Sequence, residues 1–300
     1  MSNAPRVTVH IAHAAFLPER AATLDRLYSQ LAPQMGKRKA VVHRSEEREH
    51  ASVWARRVYA AVAAENADAA IVLNDDVEIS DELVAAATVM LEQPTSRIIS
   101  LHCVHPMARS LAESGQKWLR TYHVSGPAYI MRKGAAAEAQ RYYDETPQRW
   151  NGAVNEDTVL IQMMFRHREP VWNSLPALVT HDTAVPSSLG YDNHAGRATA
   201  VAWHDRELWP ESATRDLSSP EFWRPEGEIP FLPTHWTPDE TLLSHEIAND
   251  LGIGPTICWW CRKVPAAFGS PQSGARMCHV CLHATVGGVI NAAMKAGPQS

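Results

Sequence analysis

The sequence predicts an α/β protein: a mostly parallel sheet flanked by helices, followed by a small C-terminal zinc-binding module. Three observations predict it. Strand-like and helix-like signals alternate through the first 100 residues at the spacing of crossover connections. One strand-like run, residues 69–73 (AAIVL), is continuously apolar, as a parallel strand buried on both faces is. The last 50 residues hold two C-x-x-C pairs and no acid.

The elements follow in order. Residues 6–12 (RVTVHIA) read as a strand. Over 18–31, Leu24, Leu27, Tyr28 and Leu31 share one helical face. Residues 39–43 form a short β-branched strand, and 50–65 an alanine-rich helix with Val53, Arg57 and Ala60 near helical spacing. The 69–73 strand stops at Asn74-Asp75-Asp76. Ser80 is placed to cap a helix over 81–91, with Asp81 and Glu82 in its first turn. Residues 97–101 read as another strand. Further on, 125–131 (SGPAYIM) is strand-like, 133–143 helical, and Asn155 caps a helix over 156–166. Residues 204–240, rich in Pro, Trp and acids, read as a connector. The expected units are 1–205, a catalytic domain; 206–254, a loop-rich extension; and 255–300, a four-cysteine module and tail.

Composition narrows the function. Apolar residues at 45% and charged residues at 20% exclude a largely disordered chain. A net charge of −5 argues against coating nucleic acid along the whole surface. No apolar run approaches the roughly 20 residues that cross a bilayer, so no membrane insertion is expected. The N-terminal residues lack a basic-then-apolar leader, and a cytoplasmic location is expected. The charge is uneven: 251–300 carry Arg262, Lys263, Arg276 and Lys295 for +4, leaving −9 on the first 250 residues.

Three clusters carry chemistry. Ligands of open α/β sheets bind beyond the carboxyl ends of strands. Asn74, Asp75 and Asp76 stand at such an end, where a divalent cation bridging to phosphates would relieve their repulsion. A solvated turn with a helix cap is the alternative. Glu156 and Asp157 open a helix whose dipole favours ionised carboxylates, which suits a general base as well as a simple cap. Residues 175–182 end in His181-Asp182. An imidazole there suits Mn²⁺, while Ser187, Ser188 and Arg197 downstream suit a phosphate.

The triplet in LNDDVEIS, the Ser125-Gly126-Pro127-Ala128-Tyr129 segment, Asn155-Glu156-Asp157-Thr158 and the P-x-L-V-x-H…S-L-G…R-A order together resemble GT-A glycosyltransferases of bacteria and phages, over about residues 5–205. Asn74 departs modestly from that family's acidic motif. The resemblance implies a GT-A-like fold and a nucleotide-sugar donor, UDP-sugar foremost. It implies Mn²⁺ or Mg²⁺ on Asp76 with His181 as a further ligand, and Asp75 as a ribose or metal contact. It places the base at Asp157, or at Glu156. It implies donor contacts from His13, Arg20, Trp54, Arg57, Asn74, Asp75, Ser187, Ser188 and Arg197, with an acceptor side of Gly126, Pro127 and Tyr129. Packing or surface solvation accounts equally well for His13, Arg20, Trp54 and Arg57.

Cys258, Cys261, Cys278 and Cys281 match a tetrahedral structural Zn²⁺ site, with His279 and His283 as weaker alternative ligands. Trp259, Trp260 and the local basic residues suit contact with DNA or a staple on the main domain. Cys103 reads as a small buried residue, and His102-x-x-His105 as loop or core histidines. The phage-like resemblance and the basic tail point to a hydroxymethylated base in DNA as acceptor, held extrahelical. A surface-polysaccharide or protein glycosyltransferase and a non-catalytic zinc-dependent nucleic-acid-binding protein are the alternatives.

Overall fold

The structure is a computed structural model that describes residues 4–49, 51–93, 95–105, 107–121, 123–145, 156–167, 169–186, 200, 216–230, 268–269 and 276–277. In chain order the elements are β1 (Val7–Ala14), α1 (Glu19–Met35), β2 (Val41–Ser45), α2 (Ala51–Ala64), β3 (Ala69–Asn74) and β4 (Val77–Ile79). Then come α3 (Leu83–Glu92), β5 (Ile98–Ser100), α4 (Ala108–Glu113), β6 (Trp118–Thr121), β7 (Ala128–Arg132) and α5 (Lys133–Glu145). The rest are α6 (Glu156–Arg166), β8 (Val171–Ser174), β9 (Val179–His181), α7 (Pro220–Trp223), β10 (Phe268–Gly269) and β11 (Arg276–Met277).

Seven strands form one sheet in the order β2-β1-β3-β7-β5-β8-β6. The pairings β1–β2, β1–β3 and β5–β8 are parallel; β7 runs antiparallel to both β3 and β5, and β6 to β8. Five strands therefore share one direction, and the expected mostly parallel α/β sheet is observed. Two compact units divide the chain: Met1–Asn193 with Arg197–Leu232, and His194–Gly196 with Pro233–Ser300. Of the second unit, only the antiparallel pair β10–β11 is described. No helix among the described residues is long and apolar enough to cross a membrane.

Alternation along the central strands sends side chains to two cores. Val9, Ile11, Ile71 and Leu73 join Leu27, Leu31, Leu83 and Met90 of α1 and α3. Ala70, Val72 and Met131 join Val58, Tyr59, Ala136, Leu160 and Met164 of α2, α5 and α6. Helices cover both faces, which is why 69–73 is apolar throughout. The helix expected over 81–91 begins at Leu83 instead. The Ser80 hydroxyl accepts the Glu82 N–H at 3.3 Å, Glu82 itself makes no side-chain cap, and the Val84 N–H of the first turn donates instead to Gln34 Oε1 at 3.0 Å.

Leu217 and Trp223, inside the expected connector, are wholly buried in the first core. The Trp118 indole donates to the Trp223 carbonyl at 2.7 Å, and the Trp223 indole to the Leu217 carbonyl at 2.7 Å. The Trp118 ring lies 5.2 Å from Trp172 and 5.3 Å from Trp223, within aromatic-pair range.

Among the buried polar groups of the sheet is a histidine pair. His10 of β1 is fully buried, its Nδ1 2.9 Å from His43 Nε2 on β2 and its Nε2 3.3 Å from Glu65 Oε2. Burial lowers the pKa of His10, with Glu65 opposing. His43 is pushed down to about 4, by burial first, then by the charges of His10 and Arg57, against Glu65. Unfolded imidazoles titrate near 6.5, so between 6.5 and about 4 the unfolded chain binds protons that the folded one refuses. This contribution to stability is full above 6.5 and lost as pH falls toward 4. The urea midpoint should drop across that window, and His43→Gln should flatten the drop. An equally steep profile in the variant would remove the pair as its cause.

Candidate active site

Because β1, β2, β3, β5 and β8 share a direction, their carboxyl ends line one edge of the sheet. The reversed strand β7 begins at that same edge, and the Asn74 N–H donates to the Pro127 carbonyl at 2.9 Å. The turn after β3 therefore lies beside the Ser125-Gly126-Pro127 segment. The short β4–β9 pair sets Val77 opposite His181, and the Asp182 N–H donates to the Asp76 carbonyl at 2.8 Å. Four stretches separated in sequence thus converge: 13–20, 74–76, 125–127 and 181–186.

At the centre are two carboxylates and one guanidinium, all buried. Arg20, in the first turn of α1, is 1% exposed, Asp75 2% and Asp76 6%. Arg20 Nη1 donates to Asp75 Oδ1 at 2.5 Å and Nη2 to Asp76 Oδ2 at 3.0 Å. Its Nε and Nη2 also donate to the Pro186 carbonyl, at 3.0 and 2.6 Å. Asp75 Oδ2 lies 2.7 Å from His13 Nδ1 and accepts the Ala14 N–H at 3.0 Å. Asp75 is thereby tied by three groups to β1 and α1. One guanidinium against two carboxylates leaves a formal −1 at the centre. Alongside, Arg26 Nη2 donates to Asp182 Oδ2 at 2.5 Å, and Asp182 Oδ1 accepts the Ala184 N–H at 2.9 Å.

A residue outside the expected site also joins this edge. His102, 1% exposed and just past β5, has Nδ1 within 2.5 Å of Ser125 Oγ. Its ring stands edge-on to His181, centroids 5.2 Å apart. A 23-residue separation carries no local signal for the contact between His102 and Ser125. Cys103 is buried, as expected, and burial pushes its thiol up to about 11.

The other expected site residues divide. Tyr129 is buried in the second core, its hydroxyl 3.1 Å from that of Tyr59. Trp54 packs against the same core. Arg57 pairs with Glu49 and donates to Ser45 Oγ at 3.2 Å, at the carboxyl end of β2. Asp157 is half-buried in the first turn of α6, where Glu156 begins the helix. The far end of α6 leads to Glu169, which bonds the Arg97 N–H and side chain at the start of β5. The first turn of α6 therefore lies toward the carboxyl edge. Ser187, Ser188, Arg197, Cys258, Cys261, Cys278 and Cys281 lie outside the described residues.

A divalent cation needs oxygen-rich ligands, and Mg²⁺ commonly takes one or two carboxylates with the rest from water and substrate phosphates. Among the described residues no three His, Cys, Asp or Glu side chains converge as ligands. Asp75 is occupied by its three partners. Asp76 is the remaining carboxylate at this edge, and His181 stands opposite its neighbour Val77 across the β4–β9 pair, so the two would be the candidate ligands. That donor set fits an ion completed by substrate oxygens, not a preformed protein cage.

Neither a protein-family model nor a curated protein matches the chain. Among solved structures it is similar to a glycosyltransferase involved in the glycosylation of the major capsid of PBCV-1. That match has 14% identity and a TM-score of 0.31, over 54% of this chain and 78% of that one. It is similar also to a mannose-1-phosphate geranyltransferase from Thermus thermophilus, with 14% identity and a TM-score of 0.34, over 63% and 81%. At such scores neither neighbour decides what this chain does.

Proposed function

We propose that the chain is a glycosyltransferase that moves a sugar from a nucleotide-sugar donor, a UDP-sugar, to a hydroxyl. The observation that carries this reading is the buried Arg20–Asp75–Asp76 constellation at the carboxyl edge, where the acceptor-side segment and the His181 strand also arrive. Asp76 and His181 would hold Mn²⁺ or Mg²⁺, an ion that would supply positive charge for a leaving diphosphate. Arg20 and His13 face the donor, and Asp75 keeps both in place. Asp157 receives the proton of the acceptor hydroxyl, and burial of the constellation keeps its electrostatics strong.

The acceptor proposed is a hydroxymethylated base in DNA, on the strength of the basic four-cysteine tail. The test is UDP-sugar hydrolysis with and without Mn²⁺, followed by transfer to hydroxymethylated and unmodified DNA. Mn²⁺-dependent UDP release supports the reading, and no UDP release or UDP binding under either condition overturns it. Transfer to neither DNA removes the acceptor but leaves the donor chemistry standing. The four cysteines are expected to hold one Zn²⁺ per chain by elemental analysis. Chelation should then expose the tail to protease, because so short a segment has no apolar core of its own.

A further inference from the structure

The geometry points to Arg20 as an exchangeable cation: its guanidinium pairs with the Asp76 carboxylate that a divalent ion would use, so ion binding and the Arg20–Asp76 contact compete. This inference rests on the proposed cation site at Asp76 and concerns how that site is regulated from within.

Three observations support it. First, Arg20 reaches Asp76 by the longer of its two carboxylate contacts, 3.0 Å against 2.5 Å to Asp75. Second, Asp75 keeps His13 and the Ala14 N–H when Arg20 shifts, so a guanidinium that leaves Asp76 does not strand its neighbour. Third, the same Nη2 that meets Asp76 also donates to the Pro186 carbonyl at 2.6 Å, which gives the displaced group an acceptor within reach. An arriving dication lowers the negative potential at Asp76 and repels the guanidinium over a buried, weakly screened distance. Arg20 touches Oδ2 of Asp76, and an ion on either oxygen of that carboxylate meets the guanidinium's charge at short range. By linkage, whatever Arg20 contributes to holding Asp76 is subtracted from the ion's affinity, and the reverse holds equally. A donor diphosphate favours exchange on both counts, because it adds oxygens to the ion and gives the freed guanidinium an anion to pair with.

The experiment is calorimetric titration of MnCl₂ into the full chain, first alone and then with UDP present. It uses the unmodified protein and the variants Arg20→Met, Arg20→Lys and Asp76→Asn. Arg20→Met should bind Mn²⁺ about five-fold tighter or more, the lower end of ordinary coupling between sites. Arg20→Lys keeps the charge and loses the fork that spans Asp75 and Asp76. It should tighten binding too, by less. Asp76→Asn should lose the ion. Equal or weaker binding in both Arg20 variants would overturn the exchange. So would tightening in Arg20→Met with none in Arg20→Lys, which would assign the effect to charge at a distance. If circular dichroism shows that Arg20→Met does not fold, Arg20→Lys alone decides: tighter binding supports exchange, unchanged or weaker binding overturns it. Absence of Mn²⁺ binding in every protein, with UDP and without, would instead remove the cation site itself.

Discussion

Asp75→Ala should cost about 3–5 kcal/mol of stability, the usual penalty for breaking a buried ion pair by removing one partner. Asp76→Asn should cost much less and should abolish Mn²⁺-dependent UDP binding. The two carboxylates are adjacent in sequence, yet they are held differently. Asp75 accepts from Arg20 and the Ala14 N–H and meets His13, so it joins the end of β1 to the start of α1. Its loss leaves those buried groups short of an acceptor. An asparagine at 76 keeps a side-chain oxygen for Arg20 and loses only the charge. Urea unfolding of both variants reads the first effect, and calorimetry with UDP and Mn²⁺ the second. Retained Mn²⁺-dependent UDP binding in Asp76→Asn would move the ligand elsewhere.

The other large effect belongs to α6. Asp157→Asn keeps the size of the side chain and its place in the first helical turn, but cannot accept a proton at neutral pH. Transfer should fall roughly 10²–10⁴-fold, the usual share of general base catalysis, while UDP binding stays as it was. Single-turnover transfer measured beside UDP affinity separates the two. Near-normal transfer would pass the role to Glu156, the preceding residue of the same turn.

Much of this architecture is legible in the residues, and the gaps have physical causes. The runs at 6–12, 39–43, 69–73 and 97–101 all overlap strands; β3 through Leu73 and β5 are buried along their length, as continuous apolar character demands, whereas β2 at the sheet edge is mostly exposed or half-buried. The direction of β7 is not legible. SGPAYIM is equally apolar whichever way it runs, and only its pairing with β3 and β5 reveals the reversal. Strands β4 and β9 have three residues each, too few to show a period, though their pairing brings His181 to the acid pair. Asn74-Asp75-Asp76 announces a site by composition, but nothing local tells that Arg20 is almost wholly buried against it. An arginine at the start of an amphipathic helix ordinarily points to water. Its burial follows from two carboxylates 55 and 56 positions away. The contact of His102 with Ser125 is invisible in the sequence for the same reason.

A piece of the chain ending at 205 carries the whole seven-stranded sheet and every described residue of the site. It nevertheless lacks the Trp223 indole that fills the space beside Trp118 in the first core, where Trp172 also packs. Removing a buried tryptophan side chain alone costs about 3–5 kcal/mol, a large fraction of what holds a typical domain together. A piece ending at residue 230 keeps that indole, together with the bond from the Arg120 N–H to the Pro230 carbonyl at 2.9 Å. Ribosomal synthesis must pass that point before the sheet can close on its last aromatic. Until then the edge around β6 stays open to water, to chaperones and to other unfinished chains.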